Sequence, residues 1–221
     1  MNDILLRSAR EQDLEELVRL EHSVEASLPS RDIFAVDEKE FYEPILRGEG
    51  HILLAFDGQE RIAGVSVIRF PGRSDPDNLG RGLLPEERLE QVRHLESVFV
   101  RPDMQGNRLA ERLVRENMRL TDQSGRTISM ATAWPGNAAS LKLHLNLGLF
   151  IRAFAFKYGG KARLILMSGG KADRSVPPRL VESMDIDGHL AALDAGLAGA
   201  GLRRTPGESS FMVEYFPLPP A

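Results

Sequence analysis

The chain has 221 residues, 42% of them hydrophobic and 27% charged, with a formal net charge of −4. That is ordinary globular composition, long enough to bury a sizeable core, and it excludes the concentrated basic face that nucleic-acid binding requires. No cysteine is present, which excludes disulfides, thiolate metal sites and a cysteine nucleophile.

The charged opening "MNDILLRSAREQDLEEL" lacks the apolar core of a signal peptide. No apolar run approaches the roughly 18 residues of a membrane helix, so the expectation is a cytoplasmic protein with no membrane partner. "ILLR", residues 4–7, reads as a first strand. Ser8 and Glu11 have the spacing of a capping box ahead of a helix carrying Leu14, Leu17, Val18 and Leu20. A second helix is expected over residues 38–47. "HILLAF" and "RIAGVSVIRF" read as two strands joined at "DGQE", whose Asp-Gly is a hairpin signal. Residues 71–94 are rich in Pro, Gly and charge, and read as a long loop with a short helical piece.

"LESVFV", residues 95–100, reads as a buried strand. A polar turn, "RPDMQGNR", leads into a helix whose apolar face carries Leu109, Leu113, Val114 and Met118, with Gly125 as a stop. "TISMATAW" is a further strand. Asn137 then caps a helix that stops at Gly148. "FIRAFAFKY" and "ARLILM" are two more strands. Antiparallel hairpins combined with strand–helix–strand crossovers predict an α/β (α+β) protein with a mixed, mostly antiparallel sheet flanked by helices.

Two segments are expected: a main domain over 1–167, and a linker and C-terminal extension over 168–221. In the extension, "DIDGHLAALDAGLAGAGL" reads as a helix diluted by glycine, with Asp187 as a cap. "FMVEYF" reads as a last strand, and "PLPPA" as an extended end. The extension is too short for a core of its own. It is expected to pack on the main domain or on a partner subunit, so a homodimer is one expectation.

The order of elements and the stretch "VRPDMQGNRLA" resemble the GNAT family of acetyl-CoA-dependent N-acetyltransferases over roughly residues 4–167. The family motif is Gln or Arg, two residues, Gly, one residue, then Gly or Ala, after a strand ending Val-x-Pro. Gln105 and Ala110 fall on it, Gly106 and Asn107 fill it, and Arg108 departs from it. "LRSAREQD" resembles the family's opening, with Arg7 and Asp13 at the matching spacing. "NAASLKLHLNLGL" resembles a later motif, with His144 where a tyrosine is usual and Leu149 where a phenylalanine is usual.

The resemblance implies direct transfer of an acetyl group from acetyl-CoA to a primary amine, on a small molecule or peptide, with no acyl-enzyme. The turn from Gln105 through Gly106, Asn107, Arg108 and Leu109 to Ala110 would bind the CoA pyrophosphate through backbone N–H groups at a helix N-terminus. Backbone groups near Val98 and Val100 would meet pantetheine and the thioester carbonyl, on a strand expected to splay from the next; Asn137 would contact pantetheine or simply cap its helix. Arg108 has two open readings, a grip on a CoA phosphate or an obstruction; its helical position is not expected to demand a positive φ.

Glu96 is the candidate base, with its pKa expected to rise through burial; a solvated or ion-paired strand residue is the other reading. His144 is the candidate acid towards sulfur, or a histidine of an amphipathic helix. Asp32, Asp75 and Asp77 are loop carboxylates that could draw a cationic amine. The other histidines are scattered and no metal-ligand spacing occurs, so no metal is expected. An inactive CoA-binding sensor or interaction module on the same scaffold is the alternative function.

Overall fold

The computed structural model describes residues 4–30, 32–34, 36–204 and 210–218. These fall into two compact units, residues 1–129 and 130–221. In the first unit, β1 (Leu5–Ser8) leads through a short 3₁₀ turn into α1 (Leu14–Ser27) and then α2 (Lys39–Pro44). A hairpin of β2 (Gly50–Phe56) and β3 (Ile62–Arg69) follows, then β4 (Val92–Val100) and α3 (Leu109–Leu120). The sheet order is β1-β2-β3-β4, with antiparallel ladders.

The apolar residues expected on α1 are those that go inside. Leu14, Leu17, Leu20 and Val24 pack with Tyr42, Ile45, Val65, Val67 and Phe99 in one core cluster. Leu109 and Leu113 of α3 pack with Leu53, Ala55, Ala63 and Val100 in another. These are residues at helical spacing meeting alternate residues of the strands, so each helix lies along the sheet by its own apolar stripe.

The capping box expected from Ser8 and Glu11 is not formed. Ser8 ends β1, and its hydroxyl lies 2.8 Å from His51 Nε2. Asp13 does the capping instead: its carboxylate accepts from the Arg10 backbone N–H at 2.7 Å and from the Arg7 guanidinium at 2.7 and 2.8 Å. A carboxylate outcompetes a hydroxyl because its hydrogen bonds are charge-assisted. His51 Nδ1 in turn meets Asn117 Oδ1 at 2.7 Å, and the Asn117 amide donates to the Ser66 carbonyl at 2.8 Å. This fully buried asparagine fastens α3 to β2 and β3.

The loop before β4 is built rather than loose. Buried Asn78 donates to the carbonyls of Gly72 and Leu89, both at 3.1 Å. Arg81 donates to the carbonyls of Asp75 and Arg73. A 3₁₀ turn over Glu86–Gln91 supplies the expected helical piece, and β4 begins at Val92, three residues earlier than the sequence predicts.

In the second unit, β5 (Ile128–Ala133), which begins at the boundary, is followed by α4 (Ala138–Asn146), β6 (Leu149–Lys157) and β7 (Lys161–Ser168). Then come β8 (Arg179–Glu182), α5 (Ile186–Asp194), β9 (Leu197–Arg204) and β10 (Phe211–Pro217). The sheet order is β5-β7-β6-β9-β10-β8, and the paired strands are antiparallel. The fold class is therefore the expected one: mixed α/β, with a mostly antiparallel sheet flanked by helices.

The extension departs from its sequence reading in its elements and its helix cap. "LAGAGL" is strand β9, not the end of a helix. Gly196, at φ +75°, stops α5, whose N-cap is Asp185 rather than Asp187. A Cβ at Gly199 would lie 2.7 Å from the Ile151 side chain, and one at Gly201 2.4 Å from the Glu214 carboxylate. The glycines that looked like helix diluents are the condition for close strand packing. The expected extended "PLPPA" lies mostly outside the described residues.

Among the described residues, no helix is long and apolar enough to cross a membrane, and no group of three His, Cys, Asp or Glu side chains could hold a metal ion.

Candidate active site

β4 carries an irregularity where the chemistry is expected. Ser66 pairs with Val98 and Ile68 with Leu95, so β3 advances by two residues while β4 advances by three. The surplus residue makes a bulge at Glu96 and Ser97. Such bulges interrupt the ladder and re-aim side chains. Val98 is half-buried beside the bulge, and Val100 is buried where Gln105 turns back.

Glu96 is held by two neighbours. Its Oε1 accepts from Arg69 Nε at 2.7 Å and from His94 Nδ1 at 3.1 Å. The Leu79 N–H donates to His94 Nε2 at 3.0 Å. Nδ1 therefore carries the proton that points at Glu96. Burial would push the Glu96 carboxyl up, as expected from sequence. The hydrogen bond and the charge of His94, with the charge and hydrogen bond of Arg69, outweigh it and bring the pKa down to about 2. Glu96 is thus a fixed carboxylate and a weak proton acceptor, which corrects the expectation of a raised pKa. Asp75, expected to be open to a cationic amine, is instead ion-paired with the same Arg69. Asp32 and Asp77 are exposed.

A second carboxylate meets the bulge that the sequence did not single out. Asp37, in the segment between α1 and α2, accepts from Ser97 Oγ through Oδ2 at 3.2 Å. Its backbone N–H donates to Glu21 Oε1 at 3.3 Å, and the other oxygen of Glu21 accepts from the Tyr42 hydroxyl at 2.6 Å. Burial and the charge of Glu96 push Asp37 up to about 6. Burial pushes the wholly buried Glu21 up to about 8. No local pattern marks Asp37 among the scattered acids of residues 32–40; its bond to a strand some 60 residues later is tertiary.

The turn from Gln105 to Ala110 has the geometry of an anion cradle. Gly106 has φ +83° and Arg108 φ +57°, with the N-cap of α3 at Arg108. Left-handed residues alternating with others make a concave run of N–H groups. The first intrahelical bond here runs from the Arg112 N–H to the Arg108 carbonyl, so the N–H groups of the first turn have no intrahelical acceptor. Gln105 to Arg108 are exposed, Leu109 is anchored in the core, and Ala110 is half-buried. The Gln105 amide closes the turn by donating to the Val100 carbonyl at 3.0 Å.

Arg108 corrects one expectation: its position does demand a positive φ, which is why glycine is usual in the motif and why arginine is strained. Its side chain lines an open groove with Arg112, Arg115 and Glu111 beside β1. The cradle fits a phosphate anion without needing any side chain.

Asn137 and His144 belong to the second unit. Asn137 caps α4, its Oδ1 accepting from the Ser140 N–H at 3.0 Å. His144 is buried, 4% exposed. Its Nδ1 lies 2.9 Å from the Ser140 carbonyl, which can only accept, so the ring proton is assigned to Nδ1. Burial lowers its pKa to about 4 despite that bond. The ring is therefore neutral at pH 7 with a bare Nε2, a correction to a histidine titrating near neutrality and a poor donor to a leaving sulfur.

Comparison with known proteins bears on the family and the fold. The family model described as the Acetyltransferase (GNAT) family matches residues 11–149, more than half of the chain. Among solved structures, a mosquito arylalkylamine N-acetyltransferase like 5b superposes with a TM-score of 0.57 at 17% identity, covering 75% of this chain and 99% of that one. The ribosomal-protein-alanine N-acetyltransferase of Brucella melitensis gives 0.54 at 22% identity, covering 74% and 98%. YncA of Salmonella typhimurium, solved with its cofactor acetyl-CoA, gives 0.54 at 19% identity, covering 74% and 92%. Comparison with curated proteins returns no match.

Proposed function

The chain belongs to the acetyltransferase (GNAT) family, and from that premise we propose that it moves an acetyl group from acetyl-CoA to a primary amine, in one ternary complex and without an acyl-enzyme. The observation that carries the reading is the pairing of an anion cradle at residues 105–110 with a bulged strand directly before it. Backbone N–H groups from Gly106 through Asn107, Arg108 and Leu109 to Ala110 would take the pyrophosphate, while the Gln105 N–H is spent on the Pro102 carbonyl. Backbone near Val98 and Val100 would take pantetheine and polarise the thioester carbonyl, as an oxyanion hole does. Asn137 is read as a helix cap, its oxygen spent on the Ser140 N–H.

Glu96 serves as a permanent negative charge beside the reacting nitrogen. His144, neutral and buried, is not assigned a proton transfer, so the thiolate leaves with a proton from the amine or from water. The acceptor would be a small molecule or a peptide amine; the mosquito and Brucella proteins show the family range by their names alone.

Calorimetric titration with acetyl-CoA, followed by thiol release on a panel of amines, tests the proposal. Binding at micromolar affinity with amine-dependent thiol release is expected. Binding without release on any amine would favour a CoA-binding sensor. No binding at millimolar acetyl-CoA would sink both readings.

A further inference from the structure

We propose that Asp37 takes the proton from the acceptor nitrogen, and that the acceptor is a cationic amine carrying no carboxylate near the reacting group. The proposal rests on the acetyl-transfer reading above and adds to it the proton acceptor and the substrate class.

The placement comes first. Asp37 Oδ2 is tied to Ser97, in the β4 bulge and directly before Val98, whose backbone is read as facing the thioester. Its other oxygen, Oδ1, has no hydrogen-bond partner among the described residues, and Asp37 is half-exposed rather than sealed. A carboxylate with one oxygen oriented by a hydroxyl and the other open has the form of a general base.

The electrostatics select the substrate. Three carboxyl groups, Asp37, Glu96 and Asp75, face a single guanidinium, Arg69. His94 meets Glu96 as a hydrogen-bond donor, and Glu21, raised to about 8, adds no full charge at pH 7. The surplus is negative, so an ammonium is attracted and an anionic group repelled. Of the groups around Asp37, Glu21 comes from α1, Tyr42 from α2, Arg69 from β3, and Glu96 and Ser97 from β4. Glu96 is too weakly basic for the task, whereas Asp37 at about 6 is matched to it.

The step balances. The ammonium gives one proton to Asp37 Oδ1. The freed nitrogen pair forms the N–C bond at the thioester carbonyl, and the C–S bond breaks. The sulfur leaves as thiolate and takes the second nitrogen proton, directly or through water. Asp37 returns its proton to solvent.

The test uses the full chain with acetyl-CoA and agmatine, 1,4-diaminobutane, tyramine and a lysine tripeptide, against L-glutamate. Turnover of one or more cationic amines, and none of glutamate, is expected. On the best amine, Asp37→Asn should lower kcat by about 100-fold or more with acetyl-CoA affinity unchanged within twofold. Asp37→Glu should restore part of it, and Glu96→Gln should act mainly on KM.

Ser97→Ala provides a readout that a structural role would not move. Loss of its hydrogen bond should shift the acid limb of kcat/KM, expected near the pKa of Asp37, to higher pH. An unshifted limb, or an Asp37→Asn enzyme within threefold of wild-type kcat, overturns Asp37 as the base. Tight acetyl-CoA binding without turnover or thermal protection by any cationic amine overturns the substrate class while leaving cofactor binding intact. Failure to bind acetyl-CoA would instead remove the reading on which the proposal rests.

Discussion

Two buried polar clusters in this protein are built on opposite plans. In the second unit, His189 is wholly buried, 2.8 Å from the Tyr215 hydroxyl and 2.8 Å from the Ser183 carbonyl. The carbonyl takes the Nε2 proton, the hydroxyl donates to Nδ1, and every ring nitrogen is satisfied. Burial lowers the His189 pKa, so the ring stays neutral. Under β4, by contrast, carboxyl groups outnumber their one guanidinium, and one carboxylate oxygen faces outward. A closed cluster holds strands together. A cluster with a surplus charge stores electrostatic potential, and in an enzyme that potential is available to a substrate. The contrast separates a structural histidine from the carboxylate proposed as the base by how each is satisfied, not by burial alone.

Arg69 gives the most severe way to break this contrast. Arg69→Met leaves Glu96 and Asp75 without their cation and should cost about 3 kcal/mol of stability, read as a fall in the urea midpoint at pH 7. Because Glu96 lies at about 2 in the folded chain, below the ordinary 4.5, its contribution is fully present above pH 4.5. It is lost as pH falls towards 2, so the variant should lose less relative to wild type in acid.

Glu21→Gln should act next, and in the opposite pH direction. Glu21 is raised to about 8 from an ordinary 4.5. The wild type therefore loses stability as pH rises through that interval, because only the unfolded chain gives up the proton. A glutamine donates to Tyr42 and accepts from Asp37 without titrating. Denaturation at pH 5 and pH 8 should differ by on the order of 1–3 kcal/mol less in the variant. An unchanged difference would mean that Glu21 does not hold its proton in the folded chain.

Tyr215→Phe probes the closed cluster. It leaves His189 Nδ1 buried without a donor and should cost about 1–2 kcal/mol, seen as a lower Tm, with acetyl transfer unaltered. A change in kcat would erase the distinction between the clusters. Arg108→Gly lies outside both and should have the smallest effect. It relieves a left-handed arginine at φ +57° and should raise stability by about 0.5 kcal/mol, the strain relief being partly offset by glycine's greater unfolded-state freedom. Weaker acetyl-CoA binding in that variant would mark the guanidinium as a phosphate ligand; tighter binding would mark it as an obstruction.

Local signals placed most of the elements. Period-3.6 stripes found α1 and α3, Asn137 was a cap where a cap was expected, and Gly125 and Gly148 both adopt the positive φ of stop signals. The turn at residues 105–110 was legible because its chemistry is written in consecutive residues. The errors share one cause. Ser8 lost its cap to Asp13, Glu96 came down in pKa instead of up, and "LAGAGL" became a strand; each outcome was set by a partner distant in sequence or by a competing group the pattern did not rank.

By itself, then, the sequence determined the succession of strands and helices, the cradle and the reaction class it resembles, because periodicity and turn chemistry are properties of neighbouring residues. Tertiary structure alone decided which carboxyl groups are charged. Burial and hydrogen bonding set a pKa: Asp37 is bound to Ser97, 60 positions along the chain, and Glu96 to Arg69, 27 positions back, as well as to His94 on its own strand.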